Sequence, residues 1–466
     1  MSVWREDRRV LRFWGNAHKL NLFQQIMALW EEVHPYNAVY VIRLRGPADV
    51  TLLRFAIQTA CHQAGVGTLV LDRKQARYRY DPFESITLQE IASGDSTLDT
   101  LCLTITEELN SPFPEEPHHP VRWKVLKDPK TESHFLLATF RHLVADEASM
   151  RLLTSRVLRR YCGAGPPGEE KPLEVHPPHC TRVLRHHYRH LGYFGSFFRA
   201  VRLYLKLRSV HRIPEARRTG ERLRFCLFEA PDGLVGRLAA SCRTQGVTVT
   251  EAFLAALSAA MAGITPDRLR QRRRRGLAFA TAADLRGVAS EDLSACFGLY
   301  LGQSVTVLEE PELADFGRLL SRVVEAMRVE KTEKRFAGPR WDFMILTLLW
   351  RCFSFTGTRA WYRKVYPLSA CLSSVRIDTS GFAGAGDHIL DFIGAGATGP
   401  AFPLLLVPYT LRDRLNLGIT YCESVFTHPQ VCKLVEIFLT RLESLAGQGG
   451  TGEGSLSGRA EGQGLG

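Results

Sequence analysis

At 466 residues, with 45% hydrophobic and 23% charged side chains, the chain has a globular make-up and room for two or more cores. No charge-free apolar run reaches the ~18 residues a membrane-spanning helix needs, and the eleven cysteines, scattered without CxxC spacing, read as buried thiols in a reducing compartment rather than as a disulfide framework or a zinc site. The net charge of +12 is concentrated: residues 181–220 hold ten Lys/Arg against one acid, Glu215, and residues 268–275 hold six Arg and no acid, so the rest of the chain is slightly acidic.

The opening stretch, MSVWREDRRVLRFWG, is charged where a signal peptide has an apolar core, so a cytoplasmic location is expected. Residues 17–32 read as a helix and 38–45 (AVYVIRLR) alternate as a strand. Gly46 and Pro47 turn the chain, and Asp49 caps a helix reaching about His62. Residues 68–72 and 76–80 suit a short hairpin, 97–110 a helix, and 121–127 and 134–140 two strands around the turn-like KDPKTES. The stretch FRHLVADEASM follows, with His142 four residues before Asp146, and Asp146 stands at the N-cap of an amphipathic helix over 147–162.

Residues 163–180 are rich in Gly, Pro and His and read as a linker. A basic helical stretch then runs to about Ser209. In it Leu191, Phe194, Phe198, Val201 and Leu205 form an apolar stripe, and Arg199, Arg202 and Lys206 a basic edge. The stripe is expected to face the core with its basic edge in solvent. The second reading is a helix lying on an anionic membrane through residues 184–209, which makes the protein peripheral to a membrane.

A second α/β section begins near Leu223, with a strand at 224–230 and a helix at 233–243. In GVTVTEAFLAALSAAMAG (246–263), Thr248 and Glu251 form a capping box ahead of an apolar helix. Residues 276–287 (GLAFATAADLRG) read as a strand ending in Asp284, Leu285 and Arg286. Further strands are expected at 369–377, 387–393, 402–408 and 415–421, with a helix at 429–445 and a Gly-rich tail from 447 too poor in apolar residues to fold. The Arg run at 268–275 reads as a solvated loop able to attract phosphate groups, without an accompanying motif for nucleic acid. WDFMILTLLWRCF (341–353) reads as a buried helix, with lining an acyl tunnel as one role for it, and GAGATG (394–399) as a loop, because an apolar strand rather than a helix follows it. His118 and His119 lack a third ligand nearby, and no GxSxG is present.

The spacing of His142 and Asp146 carries little by itself. The order of the surrounding segments carries more. The chain resembles the CoA-dependent acyltransferase superfamily, which includes the condensation domains of peptide synthetases, wax-ester and polyketide-associated acyltransferases and chloramphenicol acetyltransferase. The family signature HHxxxDG, between a strand and a helix, is matched by RHLVADE; GPADVTLLRFAIQTACHQ, GVTVTEAFLAALSAAM, ATAADLRG with CFGLYLGQSV, and LNLGITYCESVFTHPQ resemble further family segments in the same order over roughly residues 17–446. Three positions depart from the pattern: Arg141 replaces the first His, Glu147 the Gly beside the substrate channel, and Ser374 the Asn after Ser373.

The resemblance implies an α/β fold of two chloramphenicol-acetyltransferase-like sandwich subdomains, a pseudo-dimer around a central tunnel. The expected division is 1–165 with the HxxxD motif, 166–222 as linker and basic helix, 223–446 as the second subdomain, and 447–466 as a disordered tail. It implies transfer of an acyl group from acyl-CoA or a carrier-protein phosphopantetheine thioester to an alcohol or amine, with no bound cofactor or metal. His142, which titrates near neutrality, suits the general base. Asp146 is implied to orient its loop through a pair with Arg286, and Ser373 is a candidate oxyanion donor. The altered Arg141 and Glu147 support a different expectation, a silent member that binds a carrier protein or acyl ligand.

Overall fold

The computed structural model describes residues 17–163, 173–175, 178–186, 193–216, 221–338, 340–350, 361–382, 384–400 and 402–447. Leu191, much of the expected linker and the tail beyond residue 447 lie outside them. The main strands are β1 (Asn37–Arg45), β2 (Leu88–Ile91), β3 (Val121–Asp128), β4 (Ser133–Arg141), β5 (Leu223–Glu229), β6 (Leu277–Asp284), β7 (Leu301–Leu308), β8 (Ala370–Leu372), β9 (Val375–Ile377), β10 (Ile389–Gly396), β11 (Leu404–Leu411) and β12 (Arg414–Cys422). The main helices are α1 (Leu22–Trp30), α2 (Val50–Ala64), α3 (Thr97–Asn110), α4 (Glu147–Tyr161), α5 (Tyr193–Leu207), α6 (Leu234–Thr244), α7 (Val249–Ile264), α8 (Phe316–Thr332), α9 (Trp341–Trp350) and α10 (His428–Gly447).

Side chains that alternate between two buried faces build the first lobe. β1 sends Tyr40, Ile42 and Leu44 to one face, where they meet Leu53 and Ile57 of α2 and Met150 and Leu153 of α4; Val39 and Val41 go to the other, against Leu101, Ile105 and Leu109 of α3. The sheet runs β10–β1–β4–β3–β2, and β4 at its centre is buried along its whole length. The second sheet runs β7–β6–β8–β11–β12–β5, with β9 also paired to β11. Its alternation is just as regular. Leu404 and Leu406 of β11 face α6, α7, α8 and α10, whereas Leu405, Val407 and Tyr409 face the first lobe. Two helix-backed sheets thus meet at a seam, the two-lobed α/β architecture the resemblance implies.

The caps lie where the sequence places them. Asp49 accepts from Leu52 N at 2.9 Å, and Thr248 and Glu251 exchange both bonds of a capping box. The seam between lobes is crossed at residue 223, where Asn110 of α3 pairs with both the N–H and the C=O of Leu223 at 2.9 Å. It is crossed again by β10, a segment expected in the second subdomain that instead pairs antiparallel with β1 of the first.

That strand corrects the reading of GAGATG as a loop throughout: Gly394, Ala395 and Gly396 end β10. A Cβ on Gly394 would lie 2.1 Å from the Tyr409 ring, and one on Gly418 2.3 Å from the Gly394 carbonyl oxygen. Glycine is needed because β10 presses against the Tyr409 ring of β11 and against the backbone of β12. Two apolar segments also differ from expectation. The α5 stripe faces outward, not into the core, with Phe194, Phe198 and Leu205 exposed. α9 is buried on one side only, through Phe343, Leu346 and Trp350, and exposes Met344 and Ile345. α8 was not anticipated; it buries Leu319, Leu320, Val323 and Met327 beneath a charged outer surface. In the Arg run, Arg272, Arg273 and Arg274 are exposed as expected, but Arg268 is buried and donates to the Arg275 carbonyl.

Candidate active site

β4 delivers His142 to the seam and α4 begins five residues later, so the intervening loop is held at both ends. The imidazole is clamped on three sides. It stacks on Tyr36, with ring planes 10° apart, and meets Phe140 edge to face. Its Nδ1 lies 2.9 Å from the carbonyl oxygen of Ala145. A carbonyl only accepts, so Nδ1 carries the proton and Nε2 keeps its lone pair. Burial pushes His142 below the ordinary imidazole value, and the Ala145 carbonyl and Asp146 carboxylate offset this only in part. The ring is therefore neutral near pH 7, with a proton acceptor opposite the Ala145 contact.

Asp146 does not touch that ring through any hydrogen bond among the described residues. Its oxygens accept from Arg286 Nη1 and Nη2 at 2.8 and 3.0 Å, from Tyr300 N at 2.9 Å and from Ser149 N at 2.9 Å. Ser149 Oγ lies 2.8 Å from Asp146 Oδ1 and 2.7 Å from the Gly298 carbonyl, its single proton serving one at a time. Burial opposes ionisation of Asp146, but the Arg286 guanidinium and these donors hold its carboxyl below the usual carboxylate range. Arg286 in turn lies over the Tyr300 ring. The network ties the N-terminus of α4 to the segment after β6 and so fixes the loop that carries His142.

His142, Glu147, Gln303, Ser373 and Tyr409 line a common cavity of about 120 Å3 at the seam, with a largely apolar wall that includes Trp30, Phe140 and Leu405. Ser373 sits between β8 and β9 and gives its backbone N–H to the Leu406 carbonyl at 3.0 Å, leaving its hydroxyl as the group able to serve the cavity. Ser374 is not among the lining residues. Cys371 is, but burial pushes its thiol up to about 12, so it is no thiolate nucleophile at neutral pH.

The two altered signature positions have separate fates. Arg141 points away from the cavity into a buried ion cluster, bonded to Glu31 at 2.9 and 2.7 Å and to Glu116 at 2.6 Å. It anchors the end of α1 to β4. Glu147 lies in the cavity wall. Its Oε1 is enclosed without a hydrogen-bond partner among the described residues, and burial, with Asp146 and Asp284 nearby, pushes its carboxyl up to about 7 against the pull of Arg151. His118 and His119 are structural: His118 stacks on Phe113, and His119 lies between the carbonyls of Val121 and Val66.

Sequence reasoning missed Tyr36 and Gln303. Tyr36 precedes a predicted strand with nothing to mark it. Gln303 is one of three polar residues in β7, with Ser304 and Thr306, so nothing in the sequence singles it out.

No known protein-family pattern and no curated protein sequence matches the chain. Solved structures do match it in shape. The first condensation domain of the CDA synthetase is similar at 15% identity and a TM-score of 0.66, over 92% of this chain and 96% of that one. Trichothecene 15-O-acetyltransferase from Fusarium sporotrichioides is similar at 15% identity and a TM-score of 0.67, over 93% and 95%. The X-domain from teicoplanin biosynthesis, solved in complex with OxyB, is similar at 16% identity and a TM-score of 0.54, over 92% and 93%. The fold is shared with these condensation, X- and acetyltransferase domains.

Proposed function

We propose that the protein transfers an acyl group from a thioester, either acyl-CoA or an acyl chain on a carrier protein, to an alcohol or amine. The observation that carries this reading is the Nδ1 bond of His142 to Ala145, which leaves Nε2 as a neutral proton acceptor on the wall of a mostly apolar cavity. Nε2 takes the proton of the acceptor O–H or N–H as that oxygen or nitrogen attacks the thioester carbonyl carbon. The tetrahedral oxyanion needs a donor, and the Ser373 hydroxyl is the candidate on the same wall. The C–S bond then breaks, and the imidazolium returns its proton to the departing thiolate. Asp146 and Arg286 act as positioning residues.

The fold neighbours are condensation and acetyltransferase domains, which supports acyl transfer as the reaction class. One observation favours a second reading. Glu147 occupies the cavity where the resembling family has glycine, which suits a silent protein that binds a carrier-borne or acyl ligand; the X-domain shows that this fold also engages protein partners. The two readings separate on one assay. The purified chain is offered acyl-CoAs with alcohols and amines, and free thiol is followed for wild type and His142→Ala. Acceptor-dependent release lost in the variant supports the transferase. Release that ignores the substitution, or binding of acyl-CoA without turnover, removes it.

A further inference from the structure

The outward face of α5 has no role in the cavity, and its chemistry is specific. At about 100° per residue, the helix divides into three rows. Ser196, Ala200, Leu203 and Leu207 pack inward. Diametrically opposite stand Phe194, Phe198, Val201 and Leu205; Phe194 is 84% and Phe198 68% exposed, and Phe194 is the most exposed large hydrophobic side chain among the described residues. A quarter turn away lies the basic row of Arg199, Arg202 and Lys206.

That basic row forms one wall of a groove of about 440 Å3, whose other wall includes Arg322, Arg335 and Arg340 together with the carboxylates Glu325 and Glu330. Some of these cations are already neutralised. Arg322 pairs with Glu312 and Glu325 at 3.0 and 2.8 Å, and Arg335 with Glu333 at 2.6 Å. Arg202 and Lys206 have no carboxylate within ion-pair distance among the described residues. The neighbouring α9, joined to α5 through the edge-to-face rings of Phe197 and Trp341, exposes Met344 and Ile345 on its own surface.

We propose that α5 is a membrane-surface helix. Phe194, Phe198, Val201 and Leu205 enter the interfacial layer of an anionic bilayer, and Arg202 and Lys206 meet the phosphate and carboxylate headgroups beside it. Two observations select a bilayer over a protein partner. The apolar row stands on a convex helix crest, which a fluid layer accepts and a complementary pocket would have to be built for. The cations lie beside the row at the level where headgroups surround an inserted crest. The inference is independent of acyl transfer.

The test is vesicle co-sedimentation of the full chain, with phosphatidylcholine alone and with phosphatidylcholine containing phosphatidylserine. Binding is expected to the anionic vesicles, weakened by salt. Charge reversal of both cations (Arg202→Glu with Lys206→Glu) lowers the affinity more than tenfold, since each cation near the surface contributes on the order of fivefold. Phe194→Ser with Phe198→Ser lowers it to a similar degree, at roughly tenfold per ring. Because these residues are exposed, circular dichroism and thermal unfolding of the variants stay as in the wild type. Failure to bind anionic vesicles, or binding indifferent to both pairs of substitutions, overturns the proposal. So does a dimer in sedimentation velocity that the phenylalanine variants convert to monomer without any vesicle binding, because the row is then a contact between copies.

Discussion

Arg286 grips both carboxylate oxygens of Asp146, at 2.8 and 3.0 Å, from the opposite lobe of the protein. The pair is largely buried and bidentate, so it combines charge with geometry. Its partners are all on the protein, which makes it a brace for the His142 loop and not a relay to the imidazole.

Breaking the brace leaves a buried charge. Asp146→Asn or Arg286→Ala is expected to destabilise the fold by about 3–5 kcal/mol in denaturant unfolding. Because the folded carboxyl sits below its ordinary value of 3.8, the stabilisation is complete above that pH and drains away as pH falls through the lower folded value. Wild type therefore loses stability in that acid window, and Asp146→Asn loses less of it.

His142→Ala is expected to lower kcat by roughly 10²–10⁴-fold. The ring must be neutral to act, and burial holds it below 6.5. The plateau of kcat/KM consequently extends below pH 6.5 before falling. An acid limb centred above that value contradicts the assignment.

Ser373→Ala is expected to reduce kcat by roughly 10²-fold with KM nearly unchanged, the pattern of a donor that serves only the transition state. Ser374→Ala, outside the cavity wall, serves as the control. Equal effects from the two remove Ser373 from the reaction.

Glu147 titrates inside the cavity. Its folded value of about 7 stands above the ordinary 4.5, so burial favours the neutral carboxyl, and the fold loses stability as pH climbs through the folded value. Glu147→Gln is expected to stabilise the protein by ~1–3 kcal/mol above about pH 8, with the gain shrinking toward the ordinary carboxyl value. A pH-independent difference would mean that the carboxyl is solvated.

Gly394→Ala places a methyl group 2.1 Å from the Tyr409 ring. The strands must separate, at about 3 kcal/mol or more. Gly287→Ala, with open space around the new carbon, leaves the unfolding midpoint unchanged.

Much of the fold was legible because short apolar runs bounded by turn residues mark its doubly buried strands. AVYVIRLR and HFLLATF announce themselves as strands, and Asp49, Asp146 and Thr248 as helix starts. The Asp146–Arg286 pair was reached through the resemblance alone, since nothing local links residues so far apart in the chain. The outward turn of Phe194 and Phe198 was not legible: an apolar row at helical spacing looks identical whether it meets a core or solvent. Nor was the pairing of β10 with β1. Residues 389–396 read as a strand, but a strand's partner depends on chain topology, and GAGATG reads as a turn until a Tyr409 ring is seen pressing on Gly394.

β10 has a further implication for how the molecule is made. It supplies the outer strand of a sheet whose other members all lie before residue 142. On the ribosome, the first lobe must therefore wait with the edge of β1 unpaired until residues 389–396 have emerged. Synthesis and maturation are coupled across both lobes, and a chain halted after the linker presents an open sheet edge to its neighbours.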